Sequence, residues 1–160
     1  MINLFLITMK KENPKPLSEF ESLLALLAAE KIECFAMFRT CLKGNSDTIE
    51  KGHFAHDFLD LLGFKLRESR CKLDKSLLAS ELFDLLSFAM KKVDFNPKFI
   101  ASVGKTLVTF HRNHKDLDQA IVCLEFLIFH GISDADGEEF HIQLDELYRL
   151  RRKKSEKNGN

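Results

Sequence analysis

A chain of 160 residues with 45% hydrophobic and 30% charged residues is long enough to bury a core without disulfides or metal, and this composition excludes the disordered class. Lys plus Arg equals Asp plus Glu at 24 each, so no overall field attracts nucleic acid or an anionic membrane. The apolar residues are mainly Leu and Phe, with few β-branched residues, which favours helices over sheets.

The first segment, 1–17, is predicted to be an arm outside the folded domain. Residues 2–9 are apolar, but no basic residue precedes them and charged residues follow, so we expect no signal peptide. A Met-Lys-Lys sequence at position 9 also fits a translation start, which leaves residues 1–8 in question. Pro14 and Pro16 then disfavour a helix. All apolar runs are shorter than the ~20 residues that span a bilayer, so we expect no membrane span.

After this arm, apolar residues recur at helical spacings in six segments. Ser18 and Asp47 each begin a capping box, Asn96 before Pro97 is typical of a helix start, and Gly131 is typical of a helix end. The predicted helices cover 18–43, 47–69, 74–93, 97–114, 116–131 and the residues from 133 onwards.

The turns between these helices are only about one to five residues long, and such turns place consecutive helices antiparallel. The sequence therefore predicts an all-α fold of about six antiparallel helices, arranged as a compact bundle or as stacked helical hairpins. The most apolar helix, 116–131, is expected at the centre. The helical domain is predicted over 18–152, with a basic, disordered tail over 153–160.

One stretch resembles the tetratricopeptide repeat. Gly104 lies within a helix and is followed by Asp116-Leu117-Asp118-Gln119-Ala120-Ile121, as in that family, where a Gly packs tightly in the first helix of a hairpin and an Ala opens the packing face of the second. The resemblance covers 97–130 and implies a tetratricopeptide-like helical hairpin. The spacing from Gly104 to Ala120 is about one helical turn longer than in the family, and no second copy follows at the repeat period, so no binding residues are implied.

Two His-x-x-His pairs are the candidate metal ligands. Two imidazoles share one helical face in the pair His53 and His56, and the same holds for His111 and His114. Asp57 follows His56 directly. The His-Asp dipeptide resembles the HD metal-dependent phosphohydrolases, although the earlier His which that family needs is missing. A metal-dependent hydrolase with its site between the second and fourth predicted helices is therefore an alternative function. The competing interpretation is solvated histidines at helix ends, with no metal or other cofactor.

Four cysteines, Cys34, Cys41, Cys71 and Cys123, contain no CxxC pair, and three of them lie in apolar helical stretches. This pattern indicates buried, reduced thiols and a cytoplasmic location.

Fifteen Phe residues are more than a small core obviously needs, and aromatic side chains often anchor interfaces. The sequence therefore favours a non-enzymatic helical protein-protein interaction module, such as an adaptor, chaperone, immunity or regulatory factor, that binds a protein partner through an apolar aromatic groove. The competing interpretation places every Phe in the core. The sequence also leaves open whether the protein forms a homo-oligomer. The candidate partner-binding residues are Phe95, Phe99, Arg149, Arg151 and Arg152.

The same arginines support a further alternative, a nucleic-acid-associated protein that contacts phosphates through its basic C-terminus. This alternative is less favoured, because cations in the last turn of a helix are also expected on electrostatic grounds.

Overall fold

The computed structural model describes residues 18–44, 47–132 and 139–158. These ranges contain only helices as regular structure, which confirms the all-α prediction. The predicted arm over 1–17 lies outside the described residues, as does 133–138, where the last helix was expected to start. The seven helices are α1 (Glu19–Ala28), α2 (Glu33–Lys43), α3 (Thr48–Arg67), α4 (Lys75–Met90), α5 (Pro97–Asn113), α6 (Leu117–Phe129) and α7 (Glu139–Asn158).

Side-chain caps begin five of these helices at positions that the sequence marks. In each case a side-chain oxygen accepts a hydrogen bond from a backbone N–H two or three residues further on, which satisfies a donor that has no partner within the helix. The capping residues are Ser18, Asp47, Asp74, Asn96 and Asp116.

The predicted helix 18–43 is divided into α1 and α2. Glu30 adopts a left-handed φ of 60°. The N–H of Glu30 donates to the carbonyl of Leu27, and the N–H of Lys31 donates to that of Leu26, which together form a Schellman motif. One continuous helix was therefore a wrong expectation. The apolar period continues across the break, and Glu replaces the Gly that usually marks such a turn.

Each helix packs on the next helix and on the next but one. α1 contacts α2 and α3, α2 contacts α3 and α4, and α3 contacts α4 and α5. Further along, the ring centroids of Phe83 in α4 and Phe126 in α6 lie 5.1 Å apart, and Arg112 in α5 pairs with Glu146 in α7 at 3.5 Å. The odd-numbered helices thus form one layer and the even-numbered helices the other, as in stacked helical hairpins.

Neighbours within the odd-numbered layer run parallel. At the start of both α1 and α3, Phe20 stacks on Phe54 with ring centroids 4.5 Å apart. At their other end, Lys65 Nζ of α3 donates to the carbonyl of Ala28 at 3.3 Å. The layer therefore presents parallel helix faces side by side.

The helix expected at the centre, α6, lies instead near the end of the stack. Its main neighbours are α5 and α7, whereas α3 contacts α1, α2, α4 and α5 and is the central helix. Val122 and Phe129 of α6 are exposed, the latter by 84%. An almost wholly apolar helix was expected to be surrounded on most sides, but two of its apolar residues face solvent.

The predicted disordered tail is helical as far as Asn158, because α7 continues through it. Lys, Arg and Glu are good helix formers, so the chain can extend the helix into solvent without packing. Arg151 anchors the start of this extension, since it pairs with Asp118 at 3.6 Å and lies over the ring of Tyr148 at 5.3 Å. Among the helices described, none is both long and apolar enough to cross a membrane.

Helices α5 and α6 approach each other closely at Gly104. A Cβ atom at this position would lie 2.5 Å from Leu127 Cδ1 and 2.9 Å from Leu127 Cγ. Leu127 is fully buried, so it has no free space into which to move. Only glycine permits this separation of the two helices.

We expect Gly104→Ala to lower the free energy of unfolding by about 1–2 kcal/mol, because overpacking costs about 1–3 kcal/mol and the better helix propensity of Ala returns up to about 1 kcal/mol. Gly52→Ala in α3 is the matched control, since a Cβ there meets nothing within 4 Å. The control should gain about 0.5–1 kcal/mol. Urea denaturation measures both changes, and a Gly104→Ala protein as stable as the wild type would contradict the contact.

Candidate functional site: a groove along helix α5

The first histidine pair lies on the exposed side of α3. His53 and His56 are both exposed. The His56 ring packs on Phe99 at the start of α5 with centroids 4.2 Å apart, and its Nδ1 lies 3.4 Å from a carboxylate oxygen of Asp57. His56 therefore places this pair next to the beginning of α5.

The second pair lies at the other end of α5. His111 is half-buried, and the ring of His114 packs on Phe110 at 4.1 Å. Phe99 and Phe110 are eleven residues apart on one helix, a separation of about 16 Å. The two pairs do not converge, and the described ranges contain no cluster of three or more His, Cys, Asp or Glu side chains that could hold a metal ion. The four histidines therefore do not form a common site between α3 and α5.

The cysteines offer no nucleophile at neutral pH. Cys34, Cys41 and Cys123 are buried as expected, and burial raises the pKa of each thiol to about 12. Cys71 is half-buried, and burial together with a hydrogen bond to Glu30 raises its pKa as well. All four thiols are therefore protonated, so they lack the thiolate that nucleophilic catalysis requires.

Most of the aromatic surface fills the core. The proposed partner-binding residues Phe95 and Phe99 are partly buried, lie against the core and have ring centroids 5.5 Å apart. Of the Phe residues that the structure describes, Phe64 and Phe129 are the exposed ones. An excess of Phe is therefore no guide here to an aromatic binding surface.

The basic residues of the C-terminus lie on the exposed part of α7. Arg149 and Arg152 are exposed, whereas the charge of Arg151 is partly offset by Asp118. They lie on one helix that extends away from the stack, and they do not line the groove described next.

A groove of about 1180 Å³ runs along the outer face of α5. Lys98, Ser102, Lys105 and Thr109 recur at three- and four-residue intervals and form its floor, as expected for one face of a helix. Leu66 and Arg67 at the end of α3 and Lys75 at the start of α4 add one wall, and Phe110 and His114 lie towards the far end. The groove is open, elongated and partly apolar.

Four cations line this groove, and one of them is already used by the fold. Lys75 Nζ donates to the carbonyls of Lys65 at 2.7 Å and Leu66 at 3.0 Å, and also to that of Glu68, and so caps the C-terminus of α3. The other three cations are exposed and form no ion pair with any described residue: Arg67, Lys98 and Lys105.

The lining, as far as the structure describes it, contains no Asp or Glu. Cations gathered on one concave face whose lining has no acids create a local positive potential, even though the whole chain has no net charge. The groove can therefore attract a negatively charged group.

Of the candidate residues chosen from the sequence, only His114 lines the groove. The available signal was the spacing of Lys98, Ser102 and Lys105, which predicts a polar helix face. The wall supplied by α3 and α4 depends on packing between distant segments, which that spacing does not encode.

In comparisons with known proteins, no protein-family model, no curated protein and no solved structure matches the chain.

His111 should make the fold sensitive to acid. Burial lowers the pKa of its imidazole, with a smaller opposing effect from Asp116 and a smaller additional lowering from His114. The unfolded chain therefore binds this proton more readily, and the free energy of unfolding falls as pH drops below about 6.5 towards the folded-state pKa.

We expect His111→Gln to flatten this dependence between about pH 6.5 and the lower folded-state pKa, as measured by urea unfolding at several pH values. Asn113→Gln, an exposed substitution in the last turn of α5 that changes no titratable group, is the control and should leave the slope as it is. An unchanged slope in His111→Gln would show that this imidazole is not responsible.

Proposed function

We propose that this protein is a non-enzymatic, tetratricopeptide-like interaction module that binds a protein partner in the groove along α5. The observation that carries the proposal is the groove itself. At about 1180 Å³ it exceeds the ~300–1,000 Å³ usual for small-molecule sites, and it is open along a helix instead of closed around a ligand. This shape suits a segment of polypeptide.

The order of helix contacts supports the resemblance to stacked repeats. Helices that each contact the next and the next but one form two layers, and such stacks typically bind partners on an extended concave surface. The tight packing at Gly104 in α5 is also the role that the resemblance gives to this glycine.

Recognition in this proposal depends on polar as well as apolar contacts. Leu66, Ala101 and Phe110 supply apolar surface in the groove, and hydroxyl groups and cations surround them. The proposal includes an adaptor, chaperone, immunity or regulatory role. It also includes a cytoplasmic location, since buried thiols suit a reducing compartment.

A bulky residue in the groove tests this function. Ser102 is exposed at the centre of the α5 face, so Ser102→Trp should fill the groove while leaving the core intact. Ser80→Trp is the matched control, because Ser80 is also an exposed helical serine but lies outside the groove.

Affinity purification of the wild type and both variants from the cells that produce the protein, with quantitative mass spectrometry, gives the readout. We expect Ser102→Trp to deplete at least one partner by about tenfold or more, equivalent to ~1.4 kcal/mol of binding energy, and Ser80→Trp to retain it. Identical partner sets for all three proteins would exclude the groove as the binding site.

A further inference from the structure

We infer that the α5 groove binds an acidic polypeptide segment in an extended conformation, an inference that rests on the proposed function. Arg67, Lys98 and Lys105 point to this chemistry because they lie together on one concave surface. A carboxylate is the anion that a protein partner most readily supplies, and it accepts hydrogen bonds from both Lys and Arg.

Three arginines elsewhere in the helical stack are paired with acids, whereas these three groove cations are not. Arg39 pairs with Glu81 at 3.5 Å, Arg112 with Glu146 at 3.5 Å, and Arg151 with Asp118 at 3.6 Å. Arg67, Lys98 and Lys105 have no such pair within the described ranges. Ligand carboxylates can therefore neutralise these charges without displacing an internal acid.

The dimensions fit an extended peptide. α5 has 17 residues and is about 25 Å long, a length that roughly seven or eight extended residues would match. Lys98 and Lys105 are two helical turns apart, about 10 Å, which is close to the ~9 Å between residues three positions apart in an extended polyproline II peptide, where such residues share one face. Two acidic side chains at that spacing can each meet one lysine.

The remaining lining suits a peptide backbone and apolar side chains. The hydroxyls of Ser102, Thr106 and Thr109 can accept from or donate to main-chain groups, even though Thr106 already donates to the carbonyl of Ser102 at 3.1 Å. Leu66 and Ala101 provide the apolar contacts between the charges. The expected ligand therefore carries acidic residues three positions apart, with apolar residues between them.

These features favour a peptide over a nucleic acid. Nucleic acids require a continuous basic track, and single strands usually also require exposed rings on which bases stack. Three unpaired cations neutralise few phosphates, and the one Phe in the groove, Phe110, is partly buried. We therefore propose a peptide ligand, and the experiment also tests binding of nucleic acid.

The experiment selects ligands from a phage library of random peptides about eight residues long, the length that the groove accommodates. The baits are the wild-type full chain, the groove variant K98E/K105E and the control variant K153E/K157E. The two variants change the net charge equally, but the control places its changes on the exposed part of α7. Circular dichroism verifies that both remain helical.

We expect peptides selected on the wild type to be enriched in Asp and Glu. Measured by fluorescence anisotropy, the Kd of such a synthetic peptide should rise by at least about tenfold in K98E/K105E and stay within about twofold in K153E/K157E. Replacing its Glu residues with Gln, or raising the salt concentration, should also weaken binding.

Three results would overturn the inference. If the selected peptides are not enriched in Asp and Glu, or bind K98E/K105E as strongly as the wild type, the groove binds peptides without selecting for charge. That result would contradict this inference but not the proposed function. Binding of an eight-nucleotide oligouridylate but of no peptide, lost in K98E/K105E, would identify nucleic acid as the occupant. Failure of both probes to bind the wild type would remove the proposed function as well.

Discussion

The packing of α5 against α6 at Gly104 fixes where α5 lies in the stack. The buried side chain of Leu127 occupies the space that any larger residue at 104 would need. Because this contact holds α5 by its inner face, Lys98 and Ser102 on its outer face are exposed to solvent. The groove is therefore a consequence of how closely two helices approach on its far side.

The ends of the groove are fixed by polar contacts that differ in kind. Lys75 satisfies carbonyl groups at the C-terminus of α3 and so holds the wall formed by Leu66 and Arg67 in place. Asn96 caps the other end of α5, where its side chain accepts from the N–H of Lys98 at 2.9 Å. In this region Lys75 thus stabilises the fold. The other cations that line the groove form no ion pair with any described residue.

Local chemistry was enough to predict most helix starts. Asp47, Asn96 and Asp116 each cap a helix where the sequence indicates one, because the capping interaction involves only residues two or three positions apart. The break at Glu30 was missed because its left-handed conformation is stabilised from elsewhere: the Glu30 carboxylate accepts from the N–H of Lys72 at 2.5 Å, across 42 positions of sequence.

The site was harder to predict than the fold for the same reason. Histidine spacing shows which imidazoles share a helix face, but it cannot show that His56 and His114 pack against opposite ends of α5. The count of Phe residues likewise cannot separate core from surface: Phe38 and Phe58 are fully buried, whereas Phe64 is 53% exposed. Contacts between segments distant in sequence decide these outcomes.

Nuclear Overhauser spectroscopy on protein with labelled Leu methyl groups measures the contact of α5 with α6 at Gly104 directly. We expect a strong cross-peak between the Gly104 Hα protons and the Leu127 methyl groups, because the Leu127 side chain fills the space beside this glycine. Absence of that cross-peak, with both sets of resonances assigned, would contradict the packing from which the groove follows.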